Sequence, residues 1–286
     1  MAPDVTGFFH QPTNSIAYVV ADPGGTACAL IDPVLDFEPN SGRTSTGFAD
    51  AMLDFVRDRS LKVAWLLETH AHADHFSAAA YLKERTGAPV GIGASVRKVQ
   101  ALWKAIYNFG DACQTDGSQF DRLFAEGDTF EVGGLTFGVL DTPGHTPANV
   151  TYLCGDAAFV ADTLFQPDYG TARCDFPGGS SRELWHSIQK ILALPDATRL
   201  FTGHDYMPGG RAPAWETTVA EQRAGNVHLK KRPDEAGFVA MRDARDAGLA
   251  MPRLILLALQ ININAGRLPE PEANGTAYLK VPLNRL

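Results

Sequence analysis

Thr69-His70-Ala71-His72-Ala73-Asp74-His75 sets three imidazoles and a carboxylate within six residues. It follows residues 61–67, an apolar run that reads as a buried strand, and precedes residues 76–85, which read as a helix. At a strand end the period of two points His70 and His72 to one side. In the first helical turn, Asp74 and His75 can fold back toward the same point. Imidazole nitrogen with carboxylate oxygen suits zinc, iron or manganese, whereas magnesium and calcium want nearly all oxygen. The plainer alternative is a helix N-terminus with Asp74 near the cap and solvated histidines.

Working outward, His145, Asp162 and His204 share one feature with this run. Each follows an apolar strand and sits where that strand enters a loop: Pro143-Gly144-His145-Thr146, Ala161-Asp162-Thr163 and Gly203-His204-Asp205. Strand ends of an α/β sheet converge on a ligand crevice. A lone histidine at either site would read as core or surface. Four separate segments delivering ligand-type residues to strand ends point instead to a metal.

The rest of the chain fits a soluble α/β enzyme. Two short β-rich runs around Asp22-Pro23-Gly24-Gly25 predict a hairpin at 16–31, and Gly133-Gly134 and Gly155-Asp156 predict two more. Asp32 reads as a strand-end turn residue in preference to a role near the metal, and 39–46 as a polar loop. Helical spacing covers 47–59, 95–107, 182–192, 215–225, 235–246 and 252–265, and an extended Pro-rich tail runs to Leu286. No internal repeat or low-complexity linker interrupts it. The expected division is a catalytic core at 1–212 and a helical C-terminal extension at 213–286, packed as one domain.

Composition narrows the function. Of 286 residues 45% are hydrophobic, enough for a sizeable core, and the net charge of −8 argues against a nucleic-acid footprint. No apolar run of about 18 residues spans a membrane, and no signal peptide is visible at Met1-Ala2-Pro3-Asp4. Cys28, Cys113, Cys154 and Cys174 are scattered without CxxC spacing, which favours a reducing cytoplasm.

With these residues the chain resembles the metallo-β-lactamase superfamily. The match rests on the HxHxDH run, Pro143-Gly144-His145-Thr146, Ala161-Asp162 and Gly203-His204-Asp205. It implies an αββα sandwich, two mixed sheets face to face with helices outside. In that family His70, His72 and His145 would form one metal site and Asp74, His75 and His204 a second, bridged by Asp162.

Thr171-Ala172-Arg173-Cys174-Asp175-Phe176-Pro177-Gly178-Gly179-Ser180 looks more narrowly like the persulfide dioxygenases (sulfur dioxygenases), in their bacterial β-lactamase hydrolase-like branch. Glu221-Gln222-Arg223-Ala224-Gly225-Asn226 and the tail from Ala273 to Asn284 fit that branch as well. There the resemblance implies one Fe(II) per chain on His70, His145 and Asp162. Two imidazoles and one carboxylate on one face of iron leave positions open for sulfur and for dioxygen. His72, Asp74, His75 and His204 would then orient those ligands or relay protons. The implied substrates are glutathione persulfide and O2, giving sulfite and glutathione. The rival is a glyoxalase-II-like thioesterase with two zinc ions hydrolysing S-acylglutathione.

Substrate contacts are expected from Arg173, Tyr206, Thr146, His228 and Lys230. For each, a structural role stands beside the binding one: an ion pair for Arg173, a packed ring for Tyr206, a turn cap for Thr146, and a solvated helix end for the basic run from Arg223 to Arg232. The family often carries arginine where His228 falls. Cys174 reads either as a redox-active thiol or as a buried spectator, and His10 and His186 as surface or satisfied histidines. The apolar segment 254–263 can pack on the core or on a second subunit.

Overall fold

Asp4–His10 (β1), Ser15–Ala21 (β2) and Ala27–Ile31 (β3) open the computed structural model as an antiparallel meander. The structure describes residues 1–111 and 113–286. Val34–Glu38 (β4) pairs with Arg43–Ser45 (β5), which falls within the stretch expected as loop, ahead of helix α1 (Gly47–Asp58). Lys62–Leu67 (β6) then leads into the histidine run. The expected helix from Phe76 starts three residues late. Phe76–Ser77 (β7) pairs with β4, and the Ser77 amide is taken by the Asn262 side chain, so α2 is Ala79–Thr86.

Val90–Gly93 (β8), α3 (Val96–Tyr107) and Arg122–Phe124 (β9) complete the first half. Thr129–Val132 (β10), Leu135–Asp141 (β11), Val150–Cys154 (β12) and Ala157–Ala161 (β13) form the two expected hairpins. After α4 (Ser181–Leu192) comes Arg199–Thr202 (β14), parallel to β13. A helix was expected from Trp215, but Glu216–Thr218 (β15) pairs with β14 instead. A capping box between Thr218 and Glu221 satisfies the first free amides and fixes the start of α5 (Val219–Gly225). Asp234 caps α6 (Glu235–Asp246), and α7 (Ile255–Asn262) is the last helix described.

Among the described residues the strands form two six-stranded sheets, ordered β1-β2-β3-β6-β8-β9 and β10-β11-β12-β13-β14-β15, and a small sheet β5-β4-β7. Period-two burial explains why two sheets stack. On β2, Ile16, Tyr18 and Val20 join Phe137, Tyr152, Phe159 and Phe201 between the sheets, while Ala17, Val19 and Ala21 face the outer helices. On β13, Phe159 points inward, whereas Ala158 and Val160 pack under Leu184, Ile188 and Ile191 of α4. Strands apolar on both faces must be covered twice, and the result is the expected αββα sandwich. Tyr18 pins the layers together, its hydroxyl donating to the Thr202 carbonyl at 2.5 Å. No helix among the described residues is long and apolar enough to cross a membrane.

Candidate metal centre

The ligand-type residues leave both sheets at one edge of the sandwich. His70 follows β6 in the first sheet, while His145, Asp162 and His204 follow β11, β13 and β14 in the second. Glycines set their approach. At Gly144 (φ 139°) a Cβ would lie 2.3 Å from the Leu184 amide nitrogen, and at Gly203 it would lie 2.3 Å from Asp162 Oδ1. Ala161 takes φ 47°, a left-handed conformation that costs a β-carbon residue about 1 kcal/mol and turns Asp162 inward.

One ligand atom from each of His70, His145 and Asp162 lies within 4.8 Å of the other two. His145 Nε2 is 3.5 Å and His70 Nε2 4.0 Å from Asp162 Oδ2. Main-chain and hydroxyl groups orient both rings. His145 Nδ1 donates to the Arg173 carbonyl at 2.8 Å, which leaves Nε2 with its lone pair. Thr69 Oγ1 donates to Asp32 Oδ2 at 2.7 Å and so accepts from His70 Nδ1 at 3.1 Å, freeing His70 Nε2 likewise. His70 Nε2 and Asp162 Oδ1 are buried without a hydrogen-bond partner. A buried imidazole lone pair left without a donor beside the Asp162 carboxylate costs stability unless a cation satisfies it, so this donor set fits a divalent metal.

The other residues of the run group separately. His75 Nδ1 lies 3.1 Å and His204 Nε2 3.4 Å from Asp74 Oδ2, and His204 Nε2 is also 3.4 Å from Asp162 Oδ2. Burial alone would raise Asp74 and Asp162, yet the His204 imidazole holds both well below the usual carboxylate range. His204 itself rises: burial opposes its charge, but Asp162 prevails. Burial, assisted by neighbouring His72, pushes His75 down to about 4. His72 Nε2 lies 3.1 Å from Asp32 Oδ1 and 3.7 Å from Glu68 Oε2, leaving Nδ1 buried and free. Burial lowers His72, but the two carboxylates outweigh it and lift the ring to about 9.

Asp32 combines the two roles weighed for it. It does turn the chain (φ 50°), but it is also 3% exposed, accepts from the Thr69 amide at 2.7 Å and faces His72. Sequence reasoning missed Glu68 altogether, although a glutamate before the histidine run, at an apolar strand end, was a visible signal. Of the two readings of His10, the satisfied one holds: its Nδ1 meets Thr13 Oγ1 at 2.7 Å and its Nε2 meets Asp36 at 3.1 Å.

A cleft of about 500 Å³ opens over Asp74, His145, Asp162 and His204. Its walls include Phe165, Tyr169, Phe176 and Tyr206, with Arg173, His228, Arg242, Arg245 and Arg253. Tyr206 stacks on Tyr169 with ring centres 4.6 Å apart and remains 38% exposed, so its ring is both packed and open to the cleft. Arg173 lines the cleft, but its guanidinium holds Asp175 through two bonds of 2.6 Å and donates to Ala250 O at 2.7 Å. His228 lines it too, accepting the Thr171 amide at 3.0 Å.

Thr146 and Lys230 lie outside the lining residues. Thr146 donates to Asn149 Oδ1, the turn-capping role, and Lys230 is exposed. Arg223 is bound to Asp196 and the Leu192 carbonyl. The cationic rim therefore comes from α6 and the turn before α7, which the sequence reading did not identify; Arg242, Arg245 and Arg253 carried no local motif there. Asp205 serves the turn, bound by Arg211 and by the Ala214 and Met207 amides. Burial pushes the Cys174 thiol up, keeping it protonated and a spectator.

Two mixed sheets under helices, with imidazoles and carboxylates gathered at the shared sheet edge, define a sandwich protein with a candidate metal centre. The profile described as "Metallo-beta-lactamase superfamily" matches residues 11–204, and the chain belongs to that family. It is 61% identical over 284 residues, 99% of its length, to a beta-lactamase hydrolase-like protein of Xylella fastidiosa, but spans only 65% of that relative. It is 47% identical over 270 residues to Glyoxylase B2 of Dictyostelium discoideum, covering 94% of this chain and 92% of the other. Identity to the mitochondrial persulfide dioxygenase ETHE1 of Mus musculus is 28% over 261 residues, with 90% and 87% covered. The crystal structure of ETHE1 from Myxococcus xanthus superposes with a TM-score of 0.74 at 29% identity, covering 92% of this chain and 100% of that one.

Proposed function

We propose that the chain is a mononuclear iron(II) persulfide dioxygenase acting on glutathione persulfide. The observation that carries this reading is the separate grouping of His70, His145 and Asp162, two imidazoles and one carboxylate, with His72 turned against Asp32 and Glu68. Iron(II) on those three residues would supply the one-electron chemistry that lets dioxygen react with a sulfur anion. The likeness to the mouse and Myxococcus xanthus proteins supports the same reading.

The chain's own groups have defined tasks. The Arg173 carbonyl and Thr69 hydroxyl hold the His145 and His70 rings with Nε2 directed inward. Phe176, its ring centre 5.1 Å from that of His145, keeps bulk water from that face. Arg245 and Arg253 at the rim offer cations to the carboxylates of a glutathione moiety. The balanced reaction takes glutathione persulfide, O2 and water to glutathione, sulfite and two protons. Chain purified without oxygen is tested for metal content and for persulfide-dependent O2 uptake. About one iron per chain with uptake upholds the proposal; absence of uptake by iron-loaded chain overturns it.

One observation favours a second reading. His72, Asp74 and His75 offer ligand atoms within 4.8 Å of one another, with His204 beside both Asp74 and Asp162, the kind of second site that a two-metal thioesterase would use. Two zinc ions per chain with cleavage of S-lactoylglutathione would select it.

A further inference from the structure

One side chain from beyond the family match reaches back to the main chain of the histidine run. Asn262, at the end of α7, is 3% exposed. Its Nδ2 donates to the carbonyls of His72 and His75, both at 2.7 Å, and its Oδ1 accepts from the Ser77 amide at 2.8 Å. All of its amide's donors are thus spent on the loop that carries the histidine run.

The side chains of that loop are held by Thr69, Asp32, Ser15 and His204, but its main chain is sparsely bonded. Among the described residues no backbone-to-backbone hydrogen bond reaches residues 70–75. Buried carbonyls without a partner are costly, and a loop free to rotate its peptides would lose the alignment of its imidazoles. The clamp also continues sideways. Ser77, held by Asn262, donates to Glu68 through its hydroxyl, and Glu68 flanks His72.

Asn262 is itself fixed. Gln100 donates to the Ile263 carbonyl at 2.9 Å, Tyr107 donates to the Leu256 carbonyl at 3.1 Å, and Ala258, Leu259 and Ile261 are buried in the core beneath the helices. Gly266 (φ 77°) packs so closely on the loop that a Cβ there would sit 2.8 Å from the Ser77 carbonyl. A rigid helix therefore presents a three-bond clamp to the ligand loop.

We infer that Asn262 is a positioning residue of the metal centre, so that affinity for a divalent cation depends on a side chain lying 58 residues past the end of the family match at residue 204. The inference rests on the reading of His70, His145 and Asp162 as metal ligands. Substituting the groups that orient metal ligands weakens metal binding by about 10–100-fold.

The test measures the dissociation constants for Fe(II) and Zn(II) by chelator competition on the full chain, beside thermal melting. Asn262→Ala is expected to weaken both by about 10–100-fold. Asn262→Asp conserves volume but offers acceptor oxygens to two carbonyls, and it should weaken binding at least as much. Gln260→Ala is the control: Gln260 sits on the same helix and ties it to the tail, its Nε2 donating to Lys280 O at 2.7 Å. It should lower the melting temperature and leave metal affinity within about twofold. Unchanged affinity in folded Asn262→Ala and Asn262→Asp would overturn this inference alone. A wild-type chain that takes up neither metal would overturn the metal reading and this inference with it.

Discussion

Arg242 and Asp246, one turn apart on α6, form a fully buried ion pair with Nε and Nη2 donating to Oδ1 at 2.9 and 2.5 Å. The pair is a clasp on the loop beside the centre. Asp246 Oδ2 accepts from the Cys174 amide at 2.8 Å, and Arg242 Nη1 donates to the Thr171 carbonyl at 3.2 Å. Removing one member of a buried pair leaves an uncompensated charge and costs about 3–5 kcal/mol. Arg242→Met should lose that much stability by urea unfolding. Arg182→Met, which breaks only an exposed contact to Glu235, should lose less than about 1 kcal/mol.

Asp162 lies among three imidazoles from three loops, so it should be the least replaceable ligand. Asp162→Asn and His145→Ala are expected to abolish metal retention and turnover together while keeping the circular dichroism spectrum. Metal content by elemental analysis checks this. Retained stoichiometric metal in either variant would remove the residue from the ligand set.

Arg173 and Asp175 should act as a unit. Their fork is part of the wall that carries the carbonyl orienting His145. A double-mutant cycle of Arg173→Ala and Asp175→Ala is expected to show a coupling of about 1–2 kcal/mol, each single change costing nearly as much as both. Additive losses would mean that the pair is incidental.

The pH dependence of stability should carry the mark of His228. Burial, then the Arg242 and Arg245 cations, push this imidazole down to about 4 in the folded chain, against 6.5 for the free group. Between those values the unfolded chain binds more protons, so stability is complete above about pH 6.5 and drains away as the pH falls toward 4. His228→Asn should flatten the urea midpoint over that interval. Equal slopes for the two proteins would contradict the assignment.

Arg245 and Arg253 stand at the rim of the cleft, both exposed. Under the proposed reaction, Arg245→Ala and Arg253→Ala should each raise KM for glutathione persulfide by about tenfold, equal to about 1.4 kcal/mol, with kcat nearly unchanged. Steady-state oxygen uptake measures both constants.

Much of the fold was legible because it is written in short-range pattern. Hairpins announced by Gly133-Gly134 and Gly155-Asp156 formed as read, and α6 spans the residues that its apolar spacing marked out. The departures arise where distant partners compete with local propensity. Phe76 and Ser77 join β4 because Asn262, 185 residues away from Ser77, takes the serine amide. Glu216 pairs with Phe201, and the helix waits for Thr218 to cap it. The site divides along the same line. His70, His145 and Asp162 could be named from strand-end context and are brought together by the fold. The rim arginines and the Asn262 clamp have no local signature, since they matter only through what tertiary structure sets opposite them.

The split origin of the ligand trio has a mechanical consequence. His70 belongs to one layer of the sandwich, while His145 and Asp162 belong to the other. A cation gripped by all three is a rivet through the seam, fastening at the rim what Tyr18 and its aromatic neighbours glue in the middle. Ion uptake should thus resist shear between the halves, and slackening of the seam far from the rim should reach the chemistry as misalignment of its grip.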